Sequence, residues 1–266
     1  MSTNGQAILP QRPIPTMASL PRPLFARSES LAERTTTPRH SHPWAQPSSA
    51  TSGVLRVHTE RRRFLAPPQR AILVPPGLLH EVVSSPRTEM RSLYIDYRAV
   101  SWAPPHCQVL AVGPLLRELI RAFGELPVEY DEQGADGRLA AVLLDQLRAA
   151  PEIGYSLPWP GDARLRQLCE ALYAQPDLPL GLAQWSERLQ VSEKTLTRRF
   201  QRDTGLSFRA WRQRLRLLSA LPLLEQGEAV TEVALACGYD STSAFIAAFR
   251  LHFGATPGAV ARPRRD

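Results

Sequence analysis

Three histidines are the side chains best suited to chemistry in this 266-residue chain. His40 and His42 are separated by one residue, so they share a face if their segment is a β-strand. His80 follows a Pro-Pro-Gly turn that can bring it back to the same place from a neighbouring strand. Three imidazoles in this arrangement could bind a divalent metal ion, line a pocket for a small molecule, or hydrogen-bond to one another as a purely structural feature.

A second group of chemically suited residues is basic and lies in the C-terminal part of the chain. Between Arg188 and Arg216 there are nine basic residues and two acidic ones, a surplus of seven that equals the net charge of +7 for the whole chain. Such a concentration is typical of a face that contacts nucleic-acid phosphates. A solvated charged face is the alternative, because Lys194 is the only lysine and arginine is preferred throughout.

The elements that must position these basic residues form a pattern that occurs twice. The segment 182–192 leads into 195–200, and the segment 230–239 leads into 243–249. Each copy is a short apolar-periodic helix, a turn, and a second helix with apolar residues every three or four positions. A helix presented after a tight turn fits the major groove of DNA. Two such helices in one chain can contact adjacent groove segments without a dimer.

The outward faces of the two second helices follow from their apolar periodicity. Leu196 and Phe200 point inward in the first, and Phe245, Phe249 and Phe253 point inward in the second. The residues left facing outward in the first helix, which are the candidate base readers, include Lys194, Thr197, Arg198 and Gln201, and those in the second helix are Ser243, Ala244, Ala247 and Arg250. The residues predicted to contact phosphates are Arg199, Arg202, Ser241 and Arg250.

Composition shifts divide the chain into five segments. Residues 1–23 are polar and Pro-rich without a regular period, which predicts a disordered tail. Residues 24–110 hold short β-rich runs and predict a small barrel or sandwich. Residues 111–150 predict two amphipathic helices that serve as a dimerisation interface. Residues 151–161 are expected to be a Pro-rich linker, and residues 162–262 a compact helical domain.

Several classes of protein are disfavoured by composition. The three cysteines are odd in number and lack metal-ligand spacing, so no disulfide framework is expected. No apolar run approaches the roughly 20 residues that span a bilayer, and no signal peptide is evident, so we expect a cytoplasmic protein without a membrane partner. Phosphate loops, GxSxG and CxxC are absent from the sequence, so neither an enzyme nor a cofactor is expected.

The helical domain resembles the AraC/XylS family of bacterial transcription regulators over roughly residues 160–260. The matching positions are Leu196, Arg198 and Phe200; Gly205, Ser207 and Phe208; Arg214, Leu215, Ala220, Leu223 and Leu224; Val233, Ala234, Cys237, Gly238 and Tyr239; Phe245 and Phe249; and Phe253, Gly254, Thr256 and Pro257. The resemblance implies that six residues face base edges, because the corresponding positions do so in that family: Lys194, Thr197, Arg198, Ser243, Ala244 and Ala247.

This chain departs from the family at two places. Gln190 occupies the turn of the first motif where the family usually has glycine, which costs about 1 kcal/mol if the residue is left-handed. The second recognition helix offers mainly small residues, which suit thymine methyl groups and phosphates better than bidentate base pairing. We therefore expect the first helix to discriminate bases more strongly.

The β-rich part resembles the cupin-type sensor domain found in one branch of the same family. The matching pieces are 40–46, 53–55 and 75–80. Catalytic cupins generally add a carboxylate to the histidines, and Gln46 stands at that place here. Because a neutral amide is a poor metal ligand, we expect a metal-free effector pocket, with a metal held by the three histidines as the less favoured alternative. The predicted pocket residues are His40, His42, Trp44, Gln46 and His80.

Together these patterns predict an α+β protein with a small cupin-like β-barrel and flanking helices, followed by an all-α domain with two helix-turn-helix motifs. The resemblance implies a sequence-specific transcription regulator, an activator, that responds to a small molecule. Expected partners are double-stranded DNA, an effector, RNA polymerase and a second copy of the chain. The alternatives are a metal-dependent cupin enzyme fused to a DNA-binding domain, and an architectural DNA-binding protein with no sensing role.

Overall fold

The computed structural model describes residues 9–14, 17, 19–100 and 102–261. The chain divides into two compact units. The first contains the chain up to Thr59 together with Phe64–Tyr155, and the second contains Glu60–Arg63 and the chain from Ser156 onward. The first unit is mainly β-structure and the second is mainly helical, as the sequence predicts.

The described part of the chain contains both strands and helices in a fixed order. The strands are β1 (Leu24–Leu31), β2 (Thr36–His40), β3 (Gln46–Ser52), β4 (Leu55–His58), β5 (Arg62–Ala66), β6 (Arg70–Val74), β7 (His80–Ser84), β8 (Thr88–Ile95), β9 (Gln108–Ala111) and β10 (Ser156–Pro158). The helices are α1 (Pro114–Phe123), α2 (Ala135–Ala149), α3 (Ala163–Ala174), α4 (Leu182–Arg188), α5 (Glu193–Thr204), α6 (Phe208–Glu225), α7 (Val230–Ala236), α8 (Thr242–Phe253) and α9 (Pro257–Val260).

The strands form two five-stranded sheets rather than one closed barrel within the described residues. One sheet has the order β1-β8-β3-β6-β9 and the other has the order β10-β5-β4-β7-β2. In the first sheet β1 and β8 pair antiparallel over eight residues, from Leu24 opposite Ile95 to Leu31 opposite Thr88. In the second, β2 and β7 pair antiparallel and place His40 opposite His80. The small β domain is therefore confirmed, with its strands divided between two sheets.

Helices α1 and α2 contribute to the core of the β unit. Leu116 and Leu143 join a buried cluster that also contains Leu24, Leu73 and Ile95 of the first sheet. Burial of these apolar side chains is the main force that holds the helices on the sheet. The helix bounds agree closely with the periodicity of the sequence, because an amphipathic helix buries one stripe and leaves the other exposed.

The N-terminal segment differs from the predicted disordered tail around Arg12. Its backbone amide donates to the carbonyl oxygen of Thr36 at 2.8 Å, and its buried guanidinium forms an ion pair with Glu29 of β1. A single charged residue that pairs with a strand leaves no periodic trace, so the pattern could not reveal it. Residues 1–8, 15, 16 and 18 of the predicted tail lie outside the described residues.

The predicted linker 151–161 also contains regular structure. Strand β10 lies inside it, and the side chains of Leu157 and Trp159 are buried. Tyr155, Leu157 and Trp159 alternate with other residues, which is a strand pattern that the surrounding prolines obscured. Residues 151–155 therefore belong to the first folded unit and residues 156–161 to the second.

The helical unit begins with a capped helix. Asp162 accepts hydrogen bonds from the backbone amides of Arg164 and Leu165, which satisfies two donors at the start of α3. Pro222 lies inside α6, which the structure nevertheless assigns as helix to Glu225. Among the described helices none is both long and apolar enough to cross a bilayer.

Candidate functional site

The helical unit contains two helix-turn-helix motifs with the same local geometry. Between α4 and α5 the amide of Val191 donates to the carbonyl oxygen of Ser186 at 3.0 Å. Between α7 and α8 the amide of Tyr239 donates to the carbonyl oxygen of Ala234 at 2.9 Å. The repeated sequence pattern therefore corresponds to a repeated turn.

Each turn places one residue in the left-handed region of backbone conformation. Gln190 has φ of 53° and Gly238 has φ of 76°. A Cβ atom on Gly238 would lie 2.9 Å from the Cα atom of Asp177, so the second turn requires glycine for space as well as for conformation. In the first turn the side chain of Gln190 is held in this unfavourable conformation. The sequence predicts a cost in stability if Gln190 is left-handed, and its φ meets that condition.

Both second helices of the motifs begin and end alike. Ser192 before α5 and Ser241 before α8 each accept a hydrogen bond from the backbone amide three residues onward. Gly205 and Gly254 end these helices with φ of 74° and 73°. Serine caps and left-handed glycines stabilise the two ends of a helix. Helices α5 and α8 therefore begin and end at defined residues, and each is 12 residues long.

The inner faces of α5 and α8 are buried, which fixes what they present outward. Leu196 and Phe200 of α5 and Phe245 and Phe249 of α8 are at most 1% exposed. All six residues predicted to face bases are exposed: Lys194, Thr197, Arg198, Ser243, Ala244 and Ala247. Of the four predicted phosphate contacts, three are exposed and Arg199 is partly buried; the exposed ones are Arg202, Ser241 and Arg250.

The basic residues counted in the sequence do not all face outward. Arg212 of α6 donates from Nη1 to the carbonyl oxygen of Leu180 at 2.8 Å. Arg216 donates from Nε to the carbonyl oxygen of Pro176 at 3.2 Å. These arginines hold the segment before α4 in place, whereas Arg209 is exposed. Arg212 and Arg216 therefore use part of their hydrogen-bonding capacity within the protein, and the prediction of a phosphate-contacting face depends most on the exposed basic residues.

In the β unit the structure brings the three histidines together. His40 ends β2, His80 begins β7, and His42 lies in the turn after β2. The ring centroids of His80 lie 4.3 Å from those of His40 and 5.1 Å from those of His42. One ring nitrogen of each histidine lies within 4.8 Å of the other two. His42 and His80 are fully buried and His40 is partly buried.

The backbone fixes the tautomer of each ring. The Nδ1 atoms of His40, His42 and His80 lie 2.8, 2.7 and 2.9 Å from backbone carbonyl oxygens two residues away in sequence. A carbonyl oxygen only accepts, so the proton of each neutral ring is on Nδ1. The nitrogen that remains as an acceptor in every ring is Nε2.

Burial keeps the buried imidazoles neutral. Loss of solvation lowers the pKa of His42 to about 4, partly opposed by its hydrogen bond to the Trp44 carbonyl. The same cause, partly opposed by the bond to the Leu78 carbonyl, lowers the pKa of His80 to about 3. The pKa of His40 is also lowered, mainly by burial. At neutral pH the cluster is therefore a set of uncharged acceptors.

The surroundings of the cluster contain other buried polar atoms that lack a partner. Trp44 stacks on His42 with ring centroids 5.3 Å apart and planes within 1°. The Nε1 atom of Trp44 and the Nε2 atoms of His42 and His80 are buried without a hydrogen bond among the described residues. Gln46 is buried and donates to the Ser48 hydroxyl at 3.2 Å. An unpartnered buried polar atom is costly, so its presence marks a place where a ligand can bind.

The two units thus define a DNA-binding protein that carries a β-structured sensor unit, and comparison with known proteins gives its family. The profile described as "AraC-like ligand binding domain" matches residues 22–196, and the profile described as "Helix-turn-helix domain" matches residues 185–263. The chain belongs to the AraC family of transcription regulators.

Relatives that are similar in sequence agree with this assignment. The HTH-type transcriptional regulator NimR of Escherichia coli (strain K12) is 35% identical over 223 residues, which cover 84% of this chain and 81% of NimR. The HTH-type transcriptional activator RhaR of Enterobacter sp. (strain 638) is 32% identical over 97 residues, 36% of this chain and 34% of RhaR. The crystal structure of ToxT from Vibrio cholerae O395 aligns with a TM-score of 0.37 and 12% identity, covering 89% and 96% of the two chains.

Proposed function

We propose that α5 and α8 enter successive major-groove segments on one face of the operator. The observation that carries this proposal is the pair of motifs with matching turns, caps and helix ends, each leaving an exposed outer face. On α5, Lys194, Thr197 and Arg198 contact base edges. On α8, Ser243, Ala244 and Ala247 contact bases mainly through one hydroxyl and methyl groups.

The remaining polar residues of these helices position the protein on the DNA backbone. Arg202 and Arg250 are exposed near the ends of α5 and α8 and can reach phosphates on either side of the groove. Arg199 takes the same role from a partly buried position. Ser241 caps α8, so the free backbone amides of that helix start are available for a phosphate.

Selection of bound sequences from random DNA by the full-length chain tests this proposal. A recovered site with two conserved segments about one helical turn apart supports it, because the two helices would contact adjacent major grooves. Recovery of a single conserved segment, or of none, contradicts it. Recovery of no conserved segment would also favour the alternative of an architectural DNA-binding protein.

We propose further that the small-molecule effector binds at the histidine cluster, in contact with His40, His42, Trp44, Gln46 and His80. The buried polar atoms without partners at Trp44, His42 and His80 support this position. Substituting His42 by Ala is expected to remove the effect of the effector on DNA binding while leaving effector-free DNA affinity unchanged. A metabolite screen by thermal shift on the full-length chain supplies the effector for that measurement.

The protein acts in this proposal without catalysis, in the cytoplasm, and as a homodimer that recruits RNA polymerase. Its relatives are transcription regulators, which disfavours the alternative of a cupin enzyme fused to a DNA-binding domain. RhaR is named a transcriptional activator, which supports activation here. Transcription in vitro from the selected operator, with and without the protein, tests the direction of the effect.

A further inference from the structure

We propose that the histidine cluster binds one divalent transition-metal ion through the Nε2 atoms of His40, His42 and His80. The proposal rests on the effector site proposed above and specifies the chemistry of that site. The bound ion would itself be the group that an effector contacts, or it would be the effector.

The main chain fixes the orientation of all three imidazole rings. Each Nδ1–H donates to a backbone carbonyl at 2.7–2.9 Å, so each ring is held in one orientation by the main chain. Histidines that bind metals almost always donate their other ring N–H to a carbonyl, a carboxylate or water. All three rings of this cluster already have that outer hydrogen bond.

The Nε2 atoms of the three rings remain as hydrogen-bond acceptors. A reading in which the histidines bond to one another needs a donor, and the proton of each ring is already used by a carbonyl. The Nε2 atoms of His42 and His80 accordingly have no partner within the described part of the chain. Buried acceptors without a partner are costly, and a cation can supply the partner that they lack.

The donor set indicates the class of ion. Imidazole nitrogen suits Zn²⁺, Fe²⁺, Ni²⁺ and Cu²⁺, whereas Mg²⁺ and Ca²⁺ prefer oxygen. Three histidines with one open position are an established zinc donor set, so the absence of a carboxylate at Gln46 does not exclude a metal. The three locked rings therefore favour a bound metal over the metal-free pocket that Gln46 suggests from the sequence.

The geometry requires only a small adjustment. Ligands of a tetrahedral ion with bonds of about 2.1 Å are about 3.4 Å apart, and the ring nitrogens here lie within 4.8 Å of one another. His40 is only partly buried and lies at the end of β2, so closing this gap requires a shift at the edge of the cluster that keeps its hydrogen bond to the Pro38 carbonyl. Three neutral ligands leave the ion with its full positive charge, so the open position favours an anionic ligand such as a carboxylate.

Metal binding by the full-length, tag-free chain tests the inference. After treatment with chelator, the protein is titrated with Co²⁺ and followed by visible absorption, and Zn²⁺ is counted after dialysis. We expect one ion per chain and at least a 100-fold loss of affinity in His42→Ala and in His80→Ala. His106 is exposed and lies outside the cluster, so His106→Ala is the matched control and should bind as the natural chain does.

A third variant guards against misfolding of the buried positions. His40→Ala removes a partly buried ring and should lose metal affinity while retaining the circular dichroism spectrum of the natural chain. Binding of less than one ion per chain, or equal affinity in all histidine variants, would overturn the inference. Operator affinity is measured separately with and without Zn²⁺, so a bound metal that leaves DNA binding unchanged contradicts the sensing role and not the metal site.

Discussion

At the scale of single residues, arginine has two different roles in the helical unit. Arg198 and Arg202 project from α5 into solvent, while Arg212 and Arg216 donate to the carbonyl oxygens that precede α4. An exposed guanidinium has all its donors free for guanine or phosphate, whereas one bonded to the main chain has fewer left. In the proposed complex the same residue type therefore contributes to DNA recognition in one helix and to folding in the next.

Arg198 is expected to contact a base directly. Replacing Arg198 by Ala should lower the affinity for the selected operator by about 1–3 kcal/mol and leave the affinity for random DNA almost unchanged. Arg148 is an exposed arginine of α2, so Arg148→Ala removes the same charge outside the helical unit and serves as control. Equal losses on operator and random DNA would assign Arg198 to a phosphate instead.

Gln190 carries strain that a glycine would relieve. Gln190→Gly should raise the free energy of unfolding by up to about 1 kcal/mol, because a side chain at a φ of 53° is disfavoured and glycine is not. Gly238→Ala makes the opposite change in the second motif and should destabilise, since its Cβ would approach Asp177. Urea denaturation of both variants provides the measurement. A loss of stability in Gln190→Gly would show that the strain is offset by contacts of the side chain.

At the scale of elements, α5 and α8 have the same frame and different surfaces. Their caps, lengths and terminal glycines coincide, but α5 presents Lys194 and Arg198 where α8 presents Ser243 and Ala247. Long polar side chains reach several atoms of a base edge, whereas a methyl group distinguishes little beyond thymine. The two helices thus share caps, length and ends, whereas the long polar side chains that can bond to bases lie on α5.

The operator should reflect this inequality. Base changes in the segment contacted by α8 are expected to cost less affinity than changes in the segment contacted by α5, where each mismatch costs about 1–3 kcal/mol. Quantitative binding to a library with every position of the operator varied gives the comparison. Similar costs in both segments would show that α8 uses backbone or water-mediated contacts to discriminate bases.

Elements also show how far the sequence alone could lead. Helices α1, α5 and α8 were predictable because an apolar stripe at a period near 3.6 has one explanation. Strand β10 was not predictable, because it has only three residues and lies among prolines. The alternation of buried Leu157 and Trp159 with the residues between them is too short to indicate a strand. The structural role of Arg212 was not predictable either, since it donates to backbone carbonyl oxygens of residues distant in sequence. Every residue has such a carbonyl, so no residue type marks the partners.

At the scale of the whole molecule, the histidine cluster also shows what the sequence alone can predict and what it cannot. The spacing of His40 and His42 and the turn before His80 were enough to predict that the three side chains meet. The orientation of the rings was not predictable, because main-chain carbonyls fix it and every residue has one. That orientation, rather than the presence of histidines, is what separates a metal-binding arrangement from a merely polar pocket.

The proposed homodimer would use exposed apolar side chains of α1 and α2. Leu115 of α1 and Val142 of α2 are 58% and 46% exposed although their helices bury the opposite face. Leu115→Glu combined with Val142→Glu should convert a dimer to a monomer, since burying two charges in an interface is costly. Sedimentation equilibrium measures the mass. Leu251 is 88% exposed on α8, so Leu251→Glu is the control that should leave the mass unchanged.

The tandem arrangement of two unequal recognition helices on one chain gives its binding site a polarity. A symmetric pair of identical helices reads a palindrome, which looks the same from both strands. Here the segment bound by α5 and the segment bound by α8 are not interchangeable, so a chain bound through both helices has one orientation along the DNA. Inverting the operator turns the bound chain around, and any contact it makes with a neighbouring protein then points away from the promoter instead of toward it.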